Sequence, residues 1–436
     1  MMSDKKVTVI GGGLAGVEAA NQLAKRGIKV TLYEMKPVKY SPAHKSENLA
    51  ELVCSNSLKA ERVGSAAGLL KEEMCRFGSV CLEAADKAKV PAGGALAVDR
   101  DIFSSLITES ILCNENITVV REEVTEIPEG TVIIAAGPLV SDTLAEKIGK
   151  LLGKDFLSFY DAAAPIVTAD SIDMESAFTQ SRYDRGGEAD YINCPLNKEE
   201  YEAFYEAIIN AESAELHSFD KKKDVYEGCM PIEVLASRGK DTMRYGPLKP
   251  VGLTDPRTGH RPWANLQLRK ENKDGTMYNL VGFQTNLKFG EQKRVFSMFP
   301  ALNNAEFLRY GVMHRNTFID SPRLLNGDFS LRTNPYLFFG GQITGVEGYM
   351  ESAASGLMAG INLAKRLKGE ETVILPEDTM IGALSRYISD ETVKNFQPMG
   401  ANFGVLPPLE EKIRDKQERY MKLAERGMAS IKRAKV

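Results

Sequence analysis

Cysteine and histidine are scarce in this 436-residue chain, and neither is spaced to hold a metal. The six cysteines stand at 54, 75, 81, 113, 194 and 229 with no Cys-x-x-Cys, and His44, His217, His260 and His314 lie far from one another. That excludes a disulfide scaffold and argues against any structural zinc site. The expectation is a cytoplasmic protein with reduced thiols, most of them buried as small hydrophobes. No stretch nears the roughly 20 apolar residues that cross a bilayer, so no membrane-spanning part is expected. A charge imbalance is missing too: 55 Lys+Arg face 59 Asp+Glu, a net charge of -4. Such a chain is no basic coat for nucleic acid, although a local basic face could still hold RNA. No internal repeat or low-complexity tract interrupts it. Apolar residues, at 43%, supply ample core for the about two or three domains that the length predicts.

The glycines are unevenly placed. Val7-Thr8-Val9-Ile10 reads as a buried parallel strand, Gly11-Gly12-Gly13-Leu14-Ala15-Gly16 follows at once, and residues 17–24 continue as a helix. Leu14, Val17, Ala20 and Ala24 fall along one stripe of that helix, Gly27 ends it, and Lys29–Glu34 is a second strand closing on an acid. This βαβ start satisfies G-x-G-x-x-G through Gly11, Gly13 and Gly16, with Glu34 at the distance that holds a ribose hydroxyl. Gly11 permits the tight turn, Gly13 lets backbone approach a pyrophosphate, and Gly16 lets helix pack on strand. The helix N-terminus turns free N–H groups and a positive dipole end toward the phosphates. The predicted dinucleotide site is therefore Gly11, Gly12, Gly13, Leu14, Ala15, Gly16 and Glu34. A P-loop is excluded because Val17 stands where its lysine would follow Gly16. The patterned helix also argues against reading the apolar N-terminus as an export signal.

No second nucleotide fingerprint follows. A distant segment, Leu337-Phe338-Phe339-Gly340-Gly341-Gln342-Ile343-Thr344-Gly345-Val346-Glu347-Gly348-Tyr349, reads instead as a strand, a Gly-rich turn and the approach to a helix of small residues from about 351 to 364. Close approach to a flavin chain would require such a start; tight packing on a sheet would as well. Residues 131–137 form another apolar strand ending at a glycine. Between these anchors, 67–89 and 99–114 read as helices and 117–120 as a strand. From about 150 to 325 the pattern changes to short strands and turns richer in Pro, Tyr and Asp. The order predicts a cofactor domain, 1–150 and 325–436 with a C-terminal helical tail, interrupted by an inserted substrate domain over 151–324.

Two cysteines sit in loops suited to chemistry: Cys54 in Leu52-Val53-Cys54-Ser55-Asn56-Ser57, and Cys229 between Gly228 and Met230-Pro231. Composition alone favours inert thiols at both places, since reactivity needs a lowered thiol pKa. Residues 238–270 carry eight Lys/Arg against Asp241 and Asp255, with Tyr245 and the only tryptophan, Trp263, among them. Such a segment could track phosphates and stack on bases, or be ordinary solvated surface. Residues 411–436, helical in pattern, repeat the choice with nine Lys/Arg against four acids.

The fingerprint together with Glu34-Met35-Lys36-Pro37, the Cys54 loop, Glu227-Gly228-Cys229-Met230-Pro231-Ile232-Glu233 and Gly340-to-Tyr349 closely resembles the bacterial folate- and FAD-dependent tRNA (uracil-5-)-methyltransferases, the small form of glucose-inhibited division protein A. The resemblance runs from near residue 7 to about 405. It implies an α/β fold: a Rossmann-like FAD-binding domain of the glutathione-reductase type, interrupted by an inserted α+β domain. It also implies FAD as cofactor, methylenetetrahydrofolate and NAD(P)H as co-substrates, tRNA as partner, and methylation of carbon 5 of the T-loop uridine. A ribosomal RNA uridine, or plain flavin oxidoreduction of a small molecule, are the alternatives. By resemblance Cys229 is the nucleophile, Cys54 the flavin-side partner or base, Tyr349 the aromatic residue at the isoalloxazine, and Gly341 and Gln342 further cofactor contacts.

Overall fold

The computed structural model describes residues 6–153, 157–162, 164–184, 190–214, 230–272, 274–311, 313–394 and 396–434. The opening βαβ unit forms as its pattern requires. Strand β1 (Lys6–Ile10) and strand β2 (Lys29–Glu34) pair in parallel, Val9 opposite Leu32, with helix α1 (Leu14–Lys25) crossing between them. Four further strands complete this first sheet, whose order is Ser330–Leu331, Asn334–Phe339, Val132–Ile134, β1, β2, Ile117–Arg121. Residues distant in sequence thus become neighbours: Phe338 pairs with Ile133, and Ile133 with Val9.

The stripe expected on α1 is too narrow. Every residue from Leu14 to Ala24 is buried, Glu18, Asn21 and Gln22 included. The sheet covers one side, and the helix Tyr349–Lys368 covers another at backbone contact. A Cβ on Gly356 would lie 2.1 Å from the Ala15 carbonyl oxygen, and one on Gly360 would lie 2.6 Å from that of Ala19. The small residues of the second helix are there to let two helix backbones touch.

The single helix expected over 67–89 is two. Ala66–Arg76 and Val80–Lys87 are separated by Phe77, Gly78 at φ +65°, and Ser79. The hydroxyl of Ser79 caps the second helix by accepting the Leu82 N–H, and a serine after a left-handed glycine is a stop followed by a start. The expected helix over 99–114 is Arg100–Leu112, with Asp99 as its N-cap.

A second, antiparallel sheet gathers strands between residues 166 and 309, in the order Phe178–Thr179, Tyr191–Leu196, Ala264–Lys270, Met277–Leu280, Ile166–Thr168, Phe307–Arg309. It has its own apolar core, where Phe204, Phe283, Phe296 and Phe299 pack edge to face. Strand Ala264–Lys270 alternates. Ala264, Leu266 and Leu268 enter that core, while Asn265, Gln267 and Arg269 form a buried polar row on the opposite face. That row is turned toward the Cys54 loop, which Asn56 joins by donating to the Lys270 carbonyl at 2.9 Å. None of the described helices is long and apolar enough to cross a membrane.

Candidate active site

A cleft opens along the C-terminal ends of β1 and β2, where open parallel sheets bind their ligands. Its floor is the Gly11–Ala15 turn. Gly11 has φ +104°, and a Cβ there would lie 2.4 Å from the Ala135 carbonyl oxygen, so no side chain fits; its N–H reaches the Tyr33 carbonyl at 2.8 Å. Gly16 is closed to any side chain, since a Cβ would lie 1.8 Å from the Gly11 carbonyl oxygen. At Gly13 nothing lies within 4 Å of that position. The helix α1 begins there without a side-chain cap or an acid in its first turn, so its leading N–H groups are left for an anion. Space at Gly13, crowding at Gly11 and Gly16, and an uncapped helix end together fit a dinucleotide pyrophosphate.

Glu34 ends β2 inside the cleft. Its two carboxylate oxygens accept the N–H groups of Gly12 and Lys36, each at 3.0 Å, which fixes the side chain where a ribose would lie. His44 lines the same end, its Nδ1 at 2.6 Å from the Ser41 hydroxyl. Burial, then the neighbouring Lys36, hold the imidazole below its ordinary range and hence neutral at pH 7. Across the cleft stand Gly341, at φ +87°, and Gln342, whose amide donates to Glu347. The ten residues expected to bind a cofactor therefore divide well: nine of them line this one cleft, and Gly16 shapes it from behind.

Tyr349, the first residue of the helix Tyr349–Lys368, joins the two glycine segments to the cysteine loop. Its hydroxyl accepts the N–H of Cys54 at 2.9 Å and of Ser55 at 3.2 Å, and lies 2.9 Å from the Cys54 thiol. Burial first, and the Cys54 thiol second, push the phenol well above its ordinary value. Resemblance put both Tyr349 and Cys54 on the flavin side without joining them; the structure puts both in one hydrogen-bonded group. Cys229 lies outside the described residues.

Among the described cysteines the expected burial holds only for Cys81 and Cys194. Cys75 and Cys113 are exposed and Cys54 is half-buried, and none of the five is in a disulfide. Burial pushes the Cys194 thiol above the neutral range and Cys81 with it, as inert core thiols require. No group of three or more metal-ligating side chains is found among the described residues.

The chain belongs to the glucose inhibited division protein A family, whose model matches residues 6–371. Relatives of full length carry one name, methylenetetrahydrofolate--tRNA-(uracil-5-)-methyltransferase TrmFO. The one from Listeria monocytogenes serotype 4b is 60% identical over 430 residues, 99% of each chain. The one from Ligilactobacillus salivarius is 58% identical over 98% of each chain, and that from Pelotomaculum thermopropionicum 59% identical over 100% of this chain and 99% of its own. The fold is that of Aquifex aeolicus GidA, a solved structure with a TM-score of 0.68 at 17% identity, covering 99% of this chain and 74% of that one.

Within this family fold, the basic segment 238–270 is not a single phosphate track. Lys240 pairs with Glu202, Arg244 with Asp241, and Arg257 with Asp255, while Arg269 is buried against Asn56. Arg244 also lies over the Trp263 ring at 3.8 Å, covering one face, while Tyr245 is 84% exposed. Lys249 and Arg261 remain on the surface. Counting charge along the sequence could not tell paired from unpaired cations. It also passed over Arg100, Arg309 and Glu271, which surround the Cys54 loop from three distant segments and carry no local motif.

Proposed function

We propose that this chain is a folate- and FAD-dependent tRNA methyltransferase that methylates carbon 5 of the T-loop uridine. The observation that carries the reading is the Cys54–Tyr349 pair on the rim of a dinucleotide cleft, in a chain 60% identical end to end to a protein of that name. FAD fits the cleft: Gly11 to Ala15 and the α1 N-terminus would hold its pyrophosphate, Glu34 its ribose, and Gly341, Gln342 and Tyr349 the flavin end. When bound it supplies the electrons, drawn from NAD(P)H, that bring the methylene unit of methylenetetrahydrofolate to the methyl level.

The chain's own part is to activate the uracil. Carbon 5 is a poor nucleophile until a thiolate adds at carbon 6, and Cys229 takes that role by its Glu-Gly-Cys-Met-Pro context. A base must then remove the carbon 5 proton so that the adduct can collapse. Cys54, at the flavin side, takes this second role. A tRNA substrate puts the work in the cytoplasm.

Transfer of label from methylenetetrahydrofolate to tRNA transcripts tests the reading. Label is expected at the T-loop uridine and lost when that nucleotide is changed. NAD(P)H oxidation without transfer, or transfer only to ribosomal RNA fragments, would overturn it. RNA containing 5-fluorouridine tests the thiols: a trapped adduct is expected with Cys54→Ala and none with Cys229→Ala, and the reverse pattern would exchange their roles.

A further inference from the structure

Three arginines converge under the Cys54 loop against one carboxylate. Arg100, from the helix Arg100–Leu112, donates to the carbonyls of Leu52 at 3.0 Å and Val53 at 3.1 Å, and forms an ion pair with Glu271. Arg309, from the edge strand of the second sheet, donates to the Val53 carbonyl from the other side. Arg269 donates to the Asn56 side chain at 3.0 Å and to the Ser55 hydroxyl at 3.1 Å. Arg269 and Glu271 are buried, and the Arg100 side chain is 13% exposed. Around the nearby helix start, Lys59 and Glu351 form a pair that balances itself. An excess of cation in so enclosed a place is costly unless an anion accompanies it, and the acidic groups bound to this loop itself are the Cys54 thiol and the Tyr349 phenol.

The hydrogen bonds say which of the two is the anion. A phenol oxygen offers two lone pairs and one proton. On Tyr349 the N–H groups of Cys54 and Ser55 occupy the lone pairs, so the proton is directed at the Cys54 sulfur 2.9 Å away. With the phenol protonated the sulfur is the acceptor, and a hydrogen bond donated to a thiolate favours its ionised form. Burial keeps the phenol protonated, consistent with that direction.

We propose that Arg309, delivered by the inserted sheet, is a positioning residue that together with Arg100 keeps Cys54 as a thiolate at neutral pH. The thiol proton goes to solvent, the Tyr349 hydroxyl donates to the sulfur, and nothing is oxidised or reduced. Arg309 reaches the Val53 carbonyl, one residue before Cys54, and so brings its guanidinium to the loop that carries the sulfur. The inference deepens the reading above, since a thiolate can accept the carbon 5 proton where a thiol cannot. Its test needs neither RNA nor folate, so the two can fail separately.

The test is alkylation of Cys54 by iodoacetamide across pH, followed by peptide mass spectrometry on the full chain, with exposed Cys113 as the reference in the same molecule. The midpoint for Cys54 is expected roughly one to two pH units below the ordinary thiol value of about 8.5. Arg309→Met should raise that midpoint by about one unit, Arg309→Lys should recover most of the difference, and Tyr349→Phe should raise it as well. These shifts report ionisation, which a merely structural arginine would not move. A wild-type midpoint at or above the ordinary value overturns the proposal without any variant, even if Arg309→Met fails to fold. An unchanged midpoint in folded Arg309→Met overturns it too, as does a tyrosinate rather than a thiolate ultraviolet band at neutral pH.

Discussion

The two sheets bring opposite kinds of polar surface to the same cysteine loop. On the first sheet the polar groups that face the cleft are mainly backbone: N–H groups at the start of α1, the glycines at 11, 13 and 341, and one acid, Glu34. On the second they are side chains in a buried row, Asn265, Gln267 and Arg269, extended by Glu271. Asn265 and Gln267 both donate to the Asn193 side chain, at 3.0 and 3.1 Å, and Arg269 continues the row to Asn56. A backbone site depends on where side chains are absent. A side-chain site depends on every member having its partner, because a buried polar group left alone is costly. The two should therefore break differently.

The largest effect is expected on the backbone side. Gly356→Val would drive a side chain into the Ala15 carbonyl, 2.1 Å from the new Cβ, and separate the two helices that form the cleft. The expected cost is on the order of 3 kcal/mol or more, read by thermal melting, with flavin lost as well. Gly13→Leu is its counterpart, for nothing lies within 4 Å of the new Cβ. Stability should stay within about 1 kcal/mol while flavin affinity falls by ~10-fold or more, read by fluorescence titration. Full flavin occupancy in Gly13→Leu would mean that the pyrophosphate lies elsewhere.

An intermediate effect belongs to the side-chain row. Asn56→Leu removes donors to the carbonyls of Val98 and Lys270 and the acceptor for Arg269. Stranding those groups should cost about 1–3 kcal/mol in denaturant unfolding. The alkylation midpoint of Cys54 should move as well, since Arg269 loses its anchor. A neutral result would mean that water replaces Asn56 without loss.

A further contrast, with the smallest effect, lies outside both sheets, in a buried side chain of the helix Ala66–Arg76 that holds backbone. Glu73 accepts the N–H groups of Met380 at 2.7 Å and Ile381 at 2.9 Å, and burial pushes its carboxyl from 4.5 up to about 8 despite those bonds. The folded chain then holds this proton across a window where the unfolded chain has lost it. Stability from this group is greatest near pH 4.5 and falls as pH rises toward 8. Melting temperature should decline across that window, and less steeply in Glu73→Gln. An equal slope in both proteins would assign the decline to other groups.

The sequence legibility of the two surfaces follows the same division. The turn at Gly11–Gly16, the acid at Glu34 and the second glycine segment could be read because each is local: a few consecutive residues fix a backbone shape and hence a site. The alternation of Ala264–Lys270 was equally local, but its burial was not, for a row of Asn, Gln and Arg reads as solvated until another segment covers it. The break at Gly78 escaped because an apolar pattern passes through both helices unchanged. The local charge over 238–270 left phosphate track and solvated surface equally open because charge partners such as Glu202 lie in other elements.

By itself, then, the sequence determined the dinucleotide cleft, the glycine-lined approach to Tyr349 and the presence of a cysteine loop, since steric permission at glycine and the hydrophobic period act over a few residues. Only the tertiary structure decided that Tyr349 meets Cys54 at 2.9 Å, that Arg100, Arg269, Arg309 and Glu271 gather around one loop, and that α1 is covered by both sheet and helix. Those outcomes depend on distances between segments up to hundreds of residues apart, and electrostatic energy depends on the separation and burial of charges in space rather than on their order along the chain.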